Sequence, residues 1–328
     1  VMELLTEETV VDYLISKELI TLNEEIEVEV LTGGVSNTVL AISTATKKLV
    51  LKQALPALKV AELWEADPRR AIVEADALML FHGLNPEIVP ELVFVDPIEF
   101  VVIMKRVPLA SRVWKSDLLG GIYRPQVART LGTTLAQWHN FGASNPDAHS
   151  KFMEDTLFDQ LRIDPFYRFV ANKNIDLRES INRLIGELEK DKSTIVHGDF
   201  SPKNFMVTED DHVYVLDFEV MHVGNPVFDL AFIMAHLLCK FFHAPNADEA
   251  AELSNIAKTF LNAYLEQSQI APTLVLHTAL ITLARVEGKS PVNYLSQSEQ
   301  EKIQLLTKKV LLDQKTEDVM TLFDVSQR

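Results

Sequence analysis

The stretch Ser193-Thr194-Ile195-Val196-His197-Gly198-Asp199-Phe200-Ser201-Pro202-Lys203-Asn204, followed by Phe205-Met206-Val207, Val213-Tyr214-Val215-Leu216 and Asp217-Phe218-Glu219, decides how the rest of the chain is read. Ser193 to Val196 reads as a short buried strand, so Asp199 falls on the loop at its exit, where a side chain faces a cleft and not a core. Asn204 follows on the same loop and turns back toward that cleft. Phe205 to Val207, a turn at Glu209-Asp210-Asp211, and Val213 to Leu216 then read as a hairpin that returns the chain to its starting end. Asp217 is thereby expected beside Asn204, with His197 as a buried histidine bracing the loop.

Chemically, this order supplies a carboxylate, an amide and a second carboxylate, the order used in phosphoryl transfer of the protein-kinase type. A carboxylate at Asp199 accepts a hydrogen bond from a substrate hydroxyl and takes its proton as the phosphoryl group arrives. The amide oxygen of Asn204 and the carboxylate of Asp217 are hard donors suited to Mg2+, with ATP phosphates and water completing the shell. The chain is therefore expected to be an ATP-dependent small-molecule kinase.

The 328 residues are enough for two lobes with a cleft between them, and 47% apolar residues supply a sizeable core. A net charge of −16, from 47 acidic and 31 basic residues, argues against nucleic acid or an anionic membrane as a partner. Cys239 is the sole cysteine, which rules out an intrachain disulfide. The acidic opening Val1-Met2-Glu3-Leu4-Leu5-Thr6-Glu7-Glu8 is unlike a targeting peptide, and no apolar window is long enough to span a bilayer, so the expected location is cytoplasmic. The oligomeric state is left open.

Before this stretch, Thr6 is placed to cap a helix carrying Val10, Val11, Leu14 and Ile15 on one face. Strands are expected at Val28 to Leu31, Thr38 to Ile42 and Leu49 to Lys52. Between the first two, Thr32-Gly33-Gly34-Val35-Ser36-Asn37 forms a small turn whose backbone N–H groups can approach phosphate, with Ser36 or Asn37 adding side-chain donors. Lys52 emerges from the third strand. Asp67-Pro68 then starts a helix to about Phe81, with Gly83 beyond it, on which Ala71, Glu74, Leu78 and Phe81 share a face. A glutamate in that apolar row wants a buried cation, and Lys52 is the obvious one. The long connection 53–65 carries Trp64, a candidate substrate contact on a loop folded over a ligand or packed on the lobe surface.

Leu92 to Val95 and Phe100 to Met104 read as a further hairpin, after which Lys105-Arg106-Val107-Pro108 leaves the sheet as a hinge. Met104, Lys105 and Val107 there offer backbone groups to an adenine edge. Helices are expected at Pro125 to Asn140, ended by Gly142, and near Leu177 to Lys190, Val227 to Phe242, Ala247 to Gln267 and Thr273 to Val286. The fold expected is α+β and two-lobed: residues 1–104 a nucleotide-binding lobe with a small antiparallel sheet and one main helix, 105–108 the hinge, and 109–328 a larger, mostly helical lobe. His236, Cys239 and His243 share a helical face as metal ligands do, but lie in a core-like helix without an evident fourth ligand. Gly288-Lys289-Ser290 lacks the first glycine and the leading strand of a phosphate loop.

With these residues assembled, the chain resembles the aminoglycoside phosphotransferase and choline-kinase-like superfamily, through the Gly-rich turn, Lys52, Glu74, His197-Gly198-Asp199 to Asn204, Asp217 and Gly224-Asn225-Pro226-Val227-Phe228-Asp229-Leu230-Ala231. In that superfamily the aspartate matching Asp229 braces the catalytic loop. Leu51-Lys52-Gln53-Ala54-Leu55-Pro56, the Trp64 loop and Arg69 to Leu78 are similar to methylthioribose kinases, as is Asp217-Phe218-Glu219, which makes Glu219 a candidate second metal ligand. Methylthioribose kinases lack the amide at the position of Asn204, and carry paired arginines where this chain has Ala284-Arg285. Arg285 is accordingly a candidate substrate contact.

The resemblance implies transfer of the ATP γ-phosphoryl group to a hydroxyl of a sugar-like or amino-alcohol acceptor, with a methylthioribose-like sugar favoured. Asp199 is the base, Lys52 held by Glu74 binds the α/β-phosphates, and Asn204, Asp217 and Glu219 hold Mg2+. The alternatives are an aminoglycoside phosphotransferase, which wants carboxylates lining its acceptor pocket, a catalytically silent nucleotide-binding protein, and a protein kinase.

Overall fold

The computed structural model describes residues 4–31, 37–55 and 67–328. Two compact units are present, one formed by Val1–Ala110 with Tyr214–Glu219, the other by Ser111–Val213 with Val220–Arg328.

The first unit is built on a five-stranded antiparallel sheet of order β1-β2-β3-β5-β4. Its strands are β1 (Glu27–Val30), β2 (Asn37–Ser43), β3 (Lys48–Ala54), β4 (Leu92–Asp96) and β5 (Val101–Lys105). Leu40 and Ile42, Leu49 and Leu51, and Val101 and Ile103 lie two residues apart on their strands and bury one face against Leu5, Val10, Leu14 and Ile20. Alternation then turns Lys52 to the opposite face. It sits in the central strand, between Val39 and Val102.

Several ends differ from expectation. The helix expected to stop near Phe81 runs Arg70–Leu84, with Gly83 inside it. The first helix is Val10–Ser16, a turn later than a cap at Thr6 implies. The Thr6 hydroxyl instead accepts from Thr9 N (3.3 Å) in the turn leading in, and Thr6 O accepts from Val10 N (2.9 Å). Phe100 is not in a strand: its φ of 52° places it in the tight connection, and β5 begins at Val101.

In the second unit the helix Val227–His243 is buried along almost its whole length, and the helices Ala247–Leu265 and Leu274–Glu287 pack against it. The helix Pro125–Ser144 does not end at Gly142. A Cβ there would stand 2.5 Å from Thr194 Oγ1 and 2.6 Å from Ile195 N. That glycine is thus a close-approach residue that lets the strand Thr194–Val196 lie against the helix, not a stop signal. The strand pairs antiparallel with His222–Gly224, Val196 facing His222.

Two further elements carry no counterpart in the sequence reading. Asp159–Arg168 is a π-helical stretch with Pro165 inside it. Gln297–Asp313 is a helix started by a reciprocal cap between Ser296 and Glu299, a Ser-x-x-Glu signal that was legible. Among the described residues no helix is long and apolar enough to cross a membrane.

Candidate active site

In the first unit, the helix Arg70–Leu84 begins where Asp67 Oδ1 accepts from Arg69 N (2.9 Å), and it carries Glu74 to Lys52. Lys52 Nζ lies 2.7 Å from Glu74 Oε1 and 2.7 Å from Asp217 Oδ1. Burial works against the ammonium charge, but Asp217, Glu74 and Glu219 outweigh it and hold Lys52 protonated well above the usual lysine range. Glu74 moves the other way. Burial pushes its carboxyl up against the pull of Lys52, and Asp217 and Glu219 push in the same direction.

The chain reaches this cluster at Asp217 with a φ of 69°. That left-handed backbone is one an aspartate tolerates better than a branched residue. Phe218 anchors the turn by stacking on Phe81 (5.9 Å between ring centroids). Glu219 Oε2 accepts from Arg70 Nε (3.2 Å) and from Asn37 Nδ2 (3.0 Å). Arg70 is fully buried and also donates to Leu55 O (2.6 Å), so it fixes both the helix start and Glu219.

Glu74, Asp217 and Glu219 each offer an oxygen, and these lie within 4.8 Å of one another. An all-oxygen set fits a hard divalent cation, whose ligand distances run from about 2.0 to 2.6 Å. Of the three, Glu74 is the acid the sequence reading had assigned only to Lys52.

The second unit holds Asp199. Gly198 precedes it with a φ of 80°, and a Cβ there would meet Val220 O at 2.7 Å, so the sharp exit from the strand requires glycine. Asp229 fixes this exit: its Oδ1 accepts from Gly198 N (2.8 Å) and its Oδ2 from His197 N (2.8 Å), with His139 Nε2 at 3.1 Å. Burial raises the Asp229 carboxyl, but the bond from His139 and the neighbouring imidazole charges more than offset it and leave it below the usual range. His197 accepts from Asp199 N at Nδ1 (3.1 Å), so its role in the loop is bracing.

Asp199 itself is buried. Its Oδ1 faces Arg162 (3.0 Å), and its Oδ2 takes Lys203 Nζ (2.8 Å) and Asn204 Nδ2 (2.9 Å). Because Asn204 spends its NH2 on Asp199, its amide oxygen is the end left for a cation. Arg162 was missed in the sequence. It comes from the π-helical stretch and also donates to Gly198 O (2.6 Å), and an arginine amid apolar residues of 157–170 was the available signal.

Arg285 belongs to the second unit too, beside the Phe166 ring (5.7 Å). Met104 is a buried strand residue and Lys105 is exposed, pairing with Glu91 (2.5 Å) while its N–H donates to Glu91 O, and Val107 follows β5. The candidates Gly33, Gly34, Ser36 and Trp64 lie outside the described residues. His243 pairs with Glu299 (3.2 Å) and burial pushes the Cys239 thiol up to about 11, so the helical trio is structural.

The chain matches the model of the Phosphotransferase enzyme family over residues 27–266, and it belongs to that family. Among curated relatives it is 26% identical over 243 residues to methylthioribose kinase of Geobacillus thermodenitrificans (strain NG80-2), covering 65% of this chain and 60% of that one. It is 25% identical over 264 residues to methylthioribose kinase of Geobacillus sp. (strain WCH70), covering 71% and 64%. The chain thus spans less than two thirds of the length of these relatives.

Among solved structures, amicoumacin kinase hAmiN in complex with AMP-PNP, Ca2+ and Ami superposes with a TM-score of 0.62 at 12% identity, over 98% of this chain and 99% of that one. Choline kinase LicA from Streptococcus pneumoniae gives 0.53 at 14% identity, over 93% and 99%. The fold is the α+β, protein-kinase-like fold of these enzymes.

Proposed function

We propose that this protein is an ATP-dependent small-molecule kinase that transfers the γ-phosphoryl group to a hydroxyl of a small acceptor, with Mg2+ as its cofactor. The observation that carries this most directly is Lys52: a strand lysine pinned at 2.7 Å by a buried helix glutamate and at 2.7 Å by Asp217, beside a third acid. That constellation is costly to bury without a ligand to serve. It suits phosphate binding by an ammonium held in one position and cation binding by clustered carboxylates.

Lys52, oriented by Glu74, binds the α/β-phosphates. Asp217 with Glu219, and Asn204 through its amide oxygen, are the residues that would hold Mg2+, which when bound neutralises charge on the phosphates. Asp199 orients the acceptor hydroxyl and accepts its proton, while Arg162 and Asn204 fix its two oxygens so that a lone pair is aimed and not free to rotate. Backbone groups of Met104, Lys105 and Val107 offer contacts for the adenine edge, and Gly33, Gly34, Ser36 and Asn37 for the phosphates. A sugar-like acceptor of the methylthioribose type fits better than an aminoglycoside, because the side chains around Asp199 include Arg162 and Lys203, which repel a polycation.

The test is ADP release with a panel of sugars, amino alcohols and aminoglycosides, run with Mg2+ and with EDTA. Mg2+-dependent turnover with one hydroxyl-bearing acceptor is expected. Absence of turnover with every member, alongside tight ATP binding, would instead favour a silent nucleotide-binding protein.

A further inference from the structure

Behind Asp199 the second unit gathers cations that the phosphoryl-transfer roles do not use. Lys240, on the buried helix Val227–His243, is 2% exposed, and its ammonium donates only to a carbonyl of its own helix, His236 O (3.2 Å). Lys115 approaches the same aromatic ring: its Nζ stands 5.7 Å from the Tyr294 centroid and that of Lys240 stands 5.5 Å from it. Arg285 and Arg162 in turn share the Phe166 ring, at 5.7 and 5.9 Å.

Among the described residues none of Lys115, Lys240 and Arg285 has a carboxylate partner. Burial first, and then their like charges on one another, work against protonation of these groups and bring Lys240 down to about 7, which an anion beside it would reverse. Arg162, which shares the Phe166 ring with Arg285, pairs with Asp199 (3.0 Å), so the cluster adjoins the proposed base. Among the described residues, three shielded polar atoms around it also lack hydrogen-bond partners: Arg285 Nε, His236 Nε2 and Tyr294 Oη.

Buried polar atoms are nearly always satisfied, and buried charges are nearly always paired. A chain of net charge −16 has acids to spare, yet leaves these cations unmatched. Clustered cations beside aromatic rings, with polar atoms left without partners, are the features of an anion-binding site.

We propose that the recess formed by Lys115, Lys240, Arg285, His236 and Tyr294 binds an anionic group on the acceptor, so that the substrate is an alcohol bearing a carboxylate or a phosphate. This rests on the kinase reading but departs from it on the acceptor, putting an anionic sugar or polyol in place of a neutral one of the methylthioribose type. The anion docks on Lys240 and Arg285 and presents a hydroxyl of the same molecule to Asp199. Neutral sugars lack the anchor, and amine-bearing acceptors meet repulsion.

The probes are D-ribose, D-ribonate and D-ribose 5-phosphate, one carbon skeleton carrying no anion, a carboxylate or a phosphate. Calorimetric binding to the full chain is expected for one of the charged pair and not for ribose, and which of the two binds identifies the anion. Lys240→Met should weaken that binding by at least ~10-fold, the effect of losing one charge-assisted hydrogen bond. The same variant should raise the melting temperature, because it removes an unpaired buried charge, where a merely structural lysine would lower it. Arg285→Gln should weaken the anion similarly.

AMP-PNP affinity should be unchanged in both variants. A drop there would mean that the recess serves the nucleotide and would overturn the proposal, as would binding of ribose equal to that of the charged probes, binding of none of the three, or a lower melting temperature in Lys240→Met. Failure of the kinase reading looks different: the anion binds and depends on Lys240, but no acceptor of any charge supports ADP release.

Discussion

At the scale of single residues, the atoms around Asp199 and Asp229 make the sharpest forecasts. Asp199→Ala removes the proposed proton acceptor and should lower turnover by at least ~10²-fold in the ADP-release assay while leaving the fold intact. Asp229→Ala leaves the buried N–H groups of His197 and Gly198 without an acceptor, and should cost roughly 3 kcal/mol or more in urea unfolding. His222 gives a pH signature. Burial, first of all, lowers its pKa from 6.5 to about 4, the bond to Val220 O and the charges of Asp229 and Asp155 pulling upward and Lys192 downward. A base depressed in the folded state contributes stability that is complete above the unfolded value and is lost as the pH falls from about 6.5 toward 4, by up to about 3 kcal/mol. Unfolding midpoints at pH 7 and pH 4.5 should therefore diverge in the wild type and converge in His222→Gln. That Lys52, Glu74 and Asp217 come together was readable from their order and spacing, the spacing that the proposed phosphoryl transfer demands. Arg162 was only faintly marked, as an arginine amid apolar residues whose partners Asp199 and Gly198 lie far along the chain, and Lys240 was unmarked because the Tyr294 ring beside it comes from a distant segment.

Helices and strands were legible where periodicity was strong: the sheet strands from alternation, and the helices from Pro125, Val227, Ala247 and Thr273 from their apolar stripes. Glycines misled. Gly142 reads as a terminator by residue type but lies within Pro125–Ser144, because tertiary contact with Thr194 and Ile195 decides its use. Gly132 on the same helix touches another partner. A Cβ there would stand 2.3 Å from Phe260 O of the helix Ala247–Leu265, and backbone cannot yield as a side-chain tip does. Gly132→Ala should accordingly push these helices apart and lower stability by about 1 to 3 kcal/mol in urea unfolding, in spite of alanine's better helix propensity. The π-helical stretch Asp159–Arg168 was invisible for a different reason. An extra residue per turn changes which side chains share a face, so a search at the ordinary helical period passes over it.

For the molecule as a whole, composition excluded more than it identified. A charge of −16 turned attention away from nucleic acid and anionic membranes, yet the average concealed a local reversal of sign beside Asp199. Chain connectivity was concealed as well. Six residues, Tyr214–Glu219, are counted with a unit whose remaining residues end at Ala110, so the chain returns to its first unit after a hundred residues spent in the second. They supply Asp217 to Lys52, the Phe218 ring to Phe81, and Val215 N to Ile88 O (2.9 Å). A gene cut at residue 110 would thus express a sheet stripped of one of the two acids that pair with its central lysine and of an aromatic plug, and it should stay unfolded by circular dichroism. Adding 214–219 as a separate peptide should restore order only weakly, since the tether that kept it nearby is gone. A natural exchange of modules between related genes faces the same barrier: neither half can be inherited without a splinter of the other.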